Sequence, residues 1–255
     1  MLIDSHAHLN FKAFEKDFDE VIKRSLAENI RMINVGSEYD TSKKAIEIAE
    51  KYNGVHAAVG LHPIHAEMAE NFYTSQCRSL CLSSKKVVAI GEIGLDYFRD
   101  YGKFKDRQKE VLLEQLNLAK ELNLPVILHC RMAHEDLLQI LEEQRTKNNE
   151  QPRGVIHCFT GNWQEAKKYL DMGFCLGMNG IMFKFDLKEV IKKTPLDKIL
   201  VETDCPYLTP PQSKTKRNEP VNVEYIVQEI AKIKKISFEE IAQATVQNTK
   251  NLFNI

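Results

Sequence analysis

Short β-rich runs alternate with longer amphipathic stretches along nearly the whole chain. The runs at residues 2–6, 31–35, 56–60, 87–91, 126–130, 154–158, 174–178 and 199–203 read as strands. Helical periodicity lies between them. Val111, Gln115, Leu118, Ala119 and Leu122 share one face, and Pro125 opens the strand that follows. Ala166, Tyr169 and Leu170 share another face, with Gly173 placed to end that helix. Pro220 stands where a helix should begin, ahead of Val223, Ile226, Val227 and Ile230 at three-to-four spacing.

Eight strand–helix units predict a parallel sheet with crossover connections, for which two architectures compete. An open doubly wound sheet would want a Gly-rich phosphate turn after its first strand. The sequence offers Asp4-Ser5-His6-Ala7-His8 there instead. An α/β fold of the closed (β/α)8 TIM-barrel type is therefore expected, as one domain over residues 1–255. The hydrophilic stretches 144–153 and 210–219 are expected to be loops within it. The length of 255 residues is close to the roughly 250 typical of such a barrel.

Hydrophobic residues make up 43% and charged residues 28% of the chain, an ordinary balance for a soluble globular protein. A net charge of −1 argues against a protein that coats duplex nucleic acid, which needs clustered Lys and Arg to neutralise many phosphates. It leaves room for an enzyme that grips one strand end. No apolar run approaches the ~20 residues of a membrane span. The first residues carry no basic stretch, so a cytoplasmic location is expected, with a nuclear one compatible. Six cysteines without a Cys-x-x-Cys pair read as free thiols.

The chemistry lies at the predicted strand ends. His6 and His8, two apart, project to the same side, into the barrel. Glu92 ends the fourth strand, His129 the fifth, His157 the sixth and Asp204 the eighth. In such a barrel the C-terminal strand ends share one mouth, so these six side chains can converge. A lone strand-end histidine is more often structural. Four imidazoles and two carboxylates at five strand ends, facing one another without a cation, would carry a large desolvation cost.

The expected cofactors are two divalent cations, with His6, His8, Glu92 and Asp204 on one and Glu92, His129 and His157 on the other. Water held between them is the expected nucleophile, and Asp204 the group that takes its proton. Asp4 is expected to share the inward side with His6 and orient a ligand. Alternation should turn Cys130, Cys158 and Cys205 outward as packing residues.

The ordered blocks Asp4-Ser5-His6-Ala7-His8-Leu9, Gly60-Leu61-His62-Pro63, Gly91-Glu92-Ile93-Gly94-Leu95-Asp96-Tyr97, His129-Cys130-Arg131, His157-Cys158-Phe159-Thr160-Gly161, Glu202-Thr203-Asp204-Cys205-Pro206-Tyr207-Leu208 and Arg217-Asn218-Glu219-Pro220 resemble the TatD family of metal-dependent deoxyribonucleases. The resemblance covers essentially the whole chain. It implies a hydrolase of DNA phosphodiesters, commonly a 3′-to-5′ exonuclease on single strands, with a role in repair or apoptotic DNA breakdown. The segment Gly180-Ile181-Met182-Phe183-Lys184 departs from the family pattern.

Arg131 is a candidate for a non-bridging phosphate oxygen, and an ion pair fixing its loop is the plainer reading. His62 is expected to touch substrate or support a ligand. Arg217, with Lys214 and Lys216, forms a basic cluster that is either solvated surface or a grip on a strand backbone. Tyr97, Phe98 and Tyr207 are candidates for stacking on bases or for packing.

The expected partner is a single-stranded DNA end, with no membrane and a monomer favoured. Imidazole-rich ligation favours Zn²⁺ or Mn²⁺, and the family resemblance adds Mg²⁺. The rival function is hydrolysis of a small ester, amide or aminoacyl bond by the same two-metal site. A non-enzymatic metal-stabilised scaffold fits poorly, because six ligands across two ions leave open positions, whereas structural sites are closed.

Overall fold

The structure, a computed structural model, describes residues 1–69, 73–148 and 153–255. Along the chain run β1 (Leu2–Ala7), α1 (Phe18–Ala27), β2 (Ile30–Val35), α2 (Tyr39–Lys51), β3 (Val55–Val59), α3 (Tyr73–Ser83), β4 (Val87–Asp96) and α4 (Lys105–Glu121). Then follow β5 (Val126–Arg131), α5 (His134–Asn148), β6 (Gly154–Ile156), α6 (Trp163–Asp171), β7 (Cys175–Met178), α7 (Lys188–Lys193), β8 (Ile199–Val201), α8 (Val223–Lys234) and α9 (Phe238–Phe253).

The eight strands form one sheet in the order β1 to β8, and each neighbouring pair is parallel. Parallel neighbours need crossovers, and the amphipathic helices supply them. The result is the expected TIM barrel. Its last joint differs from the others: β8 meets β1 through one bridge between Ala7 and Cys205, not a full ladder. The amide of His8 donates to the Cys205 carbonyl and that of Asp204 to the His6 carbonyl, both at 2.9 Å. Side chains reinforce the joint. The Asp4 carboxylate accepts from the Thr203 amide at 2.8 Å and its hydroxyl at 2.5 Å, and Ser5 Oγ donates to the Val201 carbonyl.

Strand alternation divides the core in two. Ile33, Val35, Ala58, Val88, Ile127, Val155 and Leu200 fill the barrel interior. Their neighbours Met32, Ala57, Val126, Ile156 and Val201 face the helices. Phe253 of α9 joins the interior group, which ties the end of the chain to the barrel. The sequence reading did not single out α9. Ser237 and Glu240, which cap it reciprocally, were the available signal.

Other boundaries moved for local reasons. β4 continues past residue 91 to Asp96, because Ile93 to Asp96 pair with Leu128 to Arg131 of β5. β6 stops at Ile156, two residues before the expected end. Residues 144–153 are not all loop: α5 runs to Asn148, and 149–152 lie outside the described residues. The stretch 210–219 is irregular, as expected. Among the described residues no helix is long and apolar enough to cross a membrane.

Candidate metal centre

The six residues expected to meet do so at the C-terminal mouth of the barrel. In β1 the register slips between Asp4 and Ala7, which inserts one residue and turns His6 and His8 inward together. The same slip corrects the expectation for Asp4. It pairs with Met32, on the helix-facing side, and bonds Thr203 instead of sharing the inward side with His6. Nε2 of His6 lies 3.0 Å from Nε2 of His8 and 3.4 Å from Glu92 Oε2. His8 Nε2 is 3.4 Å from Asp204 Oδ1. His157 Nε2 is 3.7 Å from Glu92 Oε1 and 3.8 Å from Asp204 Oδ1. On the far side, His129 Nδ1 approaches Glu92 Oε1 to 2.8 Å and His62 Nε2 to 3.4 Å.

The donor atoms fall into three overlapping groups: His6 with His157 and Asp204; His6 with His8 and Glu92; His62 with Glu92 and His129. Glu92 joins the last two, the arrangement a bridging carboxylate needs. The grouping differs from the expected partition, since His157 falls in with His6 and Asp204, and His62 takes its place beside His129.

The surroundings fix which ring nitrogen faces the centre. His8 donates Nδ1–H to the Val35 carbonyl at 2.8 Å, leaving its Nε2 lone pair directed inward. His157 Nδ1 lies 2.8 Å from Glu202 Oε1. His129 is turned the other way, with Nε2 3.2 Å from Asp96 Oδ2 and Nδ1 inward. A carboxylate or carbonyl behind each of these three rings, with the opposite nitrogen converging on carboxylates, is how metal-ligating histidines are held. The donor set therefore fits divalent cations.

Electrostatics point the same way. Burial pushes His6 down to about 4, and neighbouring His157 adds to this. Burial would depress His157 too, but the Glu202 and Glu92 carboxylates overcome it and raise it to about 10. His129 rises against burial to about 8, through Asp96 and Glu92. Burial opposes ionisation of Glu92, yet His62 and His157 hold it well below the usual carboxylate range. Protons on imidazoles thus supply the positive charge that the buried carboxylates require.

Sequence reasoning missed the supports behind the ligand rings. Glu202, fully buried, accepts from the Cys158 amide at 2.8 Å and Asn179 Nδ2 at 3.0 Å while facing His157. A Cβ at Gly177 would collide with its carboxylate, so that position must stay bare. Asp96, at the end of β4, backs His129 in the same way. Alternation offered a signal for Glu202, two residues from Asp204 as His6 is from His8.

The site opens into a cavity of about 870 Å³ that Arg131, Phe98 and Tyr207 also line. The Arg131 guanidinium lies 3.7 Å from the centre of the Phe98 ring, with no carboxylate partner among the described residues. Arg217 is elsewhere. It pairs with Asp17 at 2.6 Å and Glu219 at 3.0 Å and does not line the cavity; nor do Lys214 and Lys216, which are exposed. Tyr97 is occupied by a hydrogen bond to Asp136.

The six cysteines are free, and Cys130 and Cys205 pack in the barrel–helix layer as expected. Cys158 does not. Its φ of 46° breaks the alternation and brings Sγ to 3.6 Å from Asn179 Oδ1, on the cavity side. Met132, Asp204 and Leu208 are also left-handed and line the same cavity. Such backbone states concentrate where surrounding structure imposes them.

A family model described as TatD related DNase matches residues 3–254. The metal-dependent hydrolase YabD of Bacillus subtilis is 44% identical over the full length of both chains. The 3′-5′ ssDNA/RNA exonuclease TatD of Cronobacter sakazakii is 34% identical, covering 99% of this chain and 97% of its own. Among solved structures, the TatD homologue YjjV of Escherichia coli superposes with a TM-score of 0.91 at 32% identity, covering 100% of this chain and 98% of the other.

Proposed function

The chain belongs to the TatD related DNase family of metal-dependent hydrolases, and from that premise we propose that it hydrolyses DNA phosphodiesters as a 3′-to-5′ exonuclease on single-stranded ends. The observation that carries this reading is the convergence of ring nitrogens of His6, His8, His129 and His157 on Glu92 and Asp204 beneath an open cavity. Two divalent cations bound there, Zn²⁺, Mn²⁺ or Mg²⁺, supply Lewis acidity toward phosphate oxygens and lower the pKa of water.

The protein's own groups do the rest. His6, His8, His157, Glu92 and Asp204 would hold one cation, and Glu92 with His129 and His62 would hold the other. Asp204, partly exposed while its carboxylate faces His8, accepts the proton from the attacking water and returns one to the leaving oxygen. Arg131, stacked on Phe98, takes a non-bridging phosphate oxygen with its planar fork. Burial of the centre keeps these charges poorly screened.

The test offers single-stranded DNA, duplex DNA, RNA and an aminoacyl ester to protein treated with chelator and then reloaded with Mg²⁺, Mn²⁺ or Zn²⁺. DNA cleavage restored by metal and lost in Glu92→Ala is expected. Ester cleavage with DNA left intact would replace this reading with the small-substrate hydrolase. Asp204→Asn should retain much of the metal and lose at least roughly 10²-fold in kcat, the lower range of acid–base contributions. Undiminished kcat would remove Asp204 from proton transfer.

A further inference from the structure

Large apolar side chains rarely stand exposed in clusters without a partner. Seven are exposed among the described residues, and four of them, Tyr101, Met132, Phe185 and Tyr207, line the same cavity above the metal centre. They form two walls. Tyr101 and Met132 follow β4 and β5, whereas Phe185 and Tyr207 follow β7 and β8, well around the ring of strands. The second wall is continuous, because the loops that carry it touch: a Cβ at Gly180 would run into the Leu208 carbonyl oxygen.

Phe185 and Tyr207 are 55% and 54% exposed, yet their backbones are pinned. Tyr207 donates its amide to the Asp204 carbonyl at 2.9 Å, and its carbonyl accepts from Asn218 Nδ2 at 2.7 Å. The Phe185 amide donates to the Ile181 carbonyl at 3.0 Å, and its carbonyl accepts from the Leu187 amide. Rings with two side-chain torsions on a fixed backbone lose little entropy when a flat ligand settles on them. Charge narrows the ligand further. Among the described residues Arg131 is the only Lys or Arg that lines the cavity, so neutralising a run of phosphates cannot supply the grip. For a strand end, what remains is stacking.

We infer that Phe185 and Tyr207 form a platform on which unpaired nucleobases near the scissile phosphate stack, while Arg131 across the mouth takes a phosphate. This selects a strand end that is both unpaired and base-bearing, and it rests on the nuclease reading above. Paired bases present only their edges along a duplex, so their faces cannot reach the platform without unpairing.

An internally labelled single-stranded oligonucleotide and its twin with abasic residues at the last two positions of each end test this, using Mn²⁺-loaded protein. Stacking predicts a KM at least roughly tenfold higher for the abasic twin. The double variant Phe185→Leu, Tyr207→Leu should raise KM for the base-bearing strand to the abasic level, and Tyr207→Trp should preserve the difference. A logarithmic plot of 1/KM against salt should have a slope magnitude of about 0.7, as one phosphate contact on a single strand gives.

Binding to metal-free protein of a strand ending in 2-aminopurine gives a second readout. Its fluorescence should be quenched by the wild type and unchanged by the double variant, whose fold circular dichroism checks. Equal KM for the two strands, with both cleaved, overturns the platform and leaves the nuclease standing. Cleavage of neither strand overturns the nuclease reading and this inference with it.

Discussion

Glu202 and His157 face each other at 2.8 Å, both buried, with the carboxylate braced by the Cys158 amide and Asn179. Glu202 itself does not approach the centre; it acts through the ring it orients. Glu202→Gln keeps the shape and allows the side-chain amide to present either end to Nδ1, weakening the charge and the choice of tautomer. Metal affinity should fall roughly 10–100-fold, as for other partners behind ligating histidines. Competition with a chelator of known affinity measures this, and unchanged affinity would dismiss the orienting role.

Metal uptake should release protons. Without a cation His157 titrates near 10 and His129 near 8, so both carry protons at neutral pH that a ligand must shed. Affinity should therefore rise with pH up to those values and level off above them. Calorimetry at pH 7 in buffers of different ionisation enthalpy should count at least one proton released per protein. A count of zero would contradict the charge arrangement described.

Arg217 should matter to stability more than to turnover. Its guanidinium joins Asp17, before α1, to Glu219, before α8, and Arg24 of α1 also binds Glu219. Arg217→Met should lower stability by about 1 kcal/mol, the upper range for partly exposed pairs, which is roughly 2–4 °C in Tm for a chain of this size. kcat/KM on a short diester should change less than threefold. A large loss of kcat/KM with Tm unchanged would return Arg217 to the substrate.

His56, paired in register with Ile33 on the barrel-interior side, gives a pH signature separate from the metal centre. Burial, with Lys86 and Arg31 nearby, pushes it down to about 4. Below about 6.5 the unfolded chain takes a proton that the folded one refuses, so this contribution erodes stability as pH falls toward 4 and is constant above 6.5. Allowing for solvent screening, the loss is on the order of 1 kcal/mol. Denaturant melts of His56→Gln against wild type between pH 7 and 4.5 should diverge by that amount; parallel curves would reject it.

The barrel was legible because its strands and helices repeat at two different periods, and because a Gly-rich turn was missing where an open sheet would need one. The meeting of His6, His8, Glu92, His129, His157 and Asp204 followed from strand ends alone. What escaped depended on single backbone irregularities. The slip in β1 moved Asp4 to the other side, and the left-handed turn at Cys158 carried its thiol inward; alternation reads neither. Arg217 was misplaced for a different reason. A cation near the mouth in sequence resembles a phosphate grip until its acidic neighbours Asp17 and Glu219 are seen around it.

The joint between β8 and β1 has a consequence for assembly. Two of its hydrogen bonds use the backbones of His6, His8 and Asp204, the same residues whose side chains face the centre. Shutting the cylinder and bringing these three side chains together therefore depend on the same contacts. Cations would act as a clasp, and a molecule stripped of them should breathe first along that line.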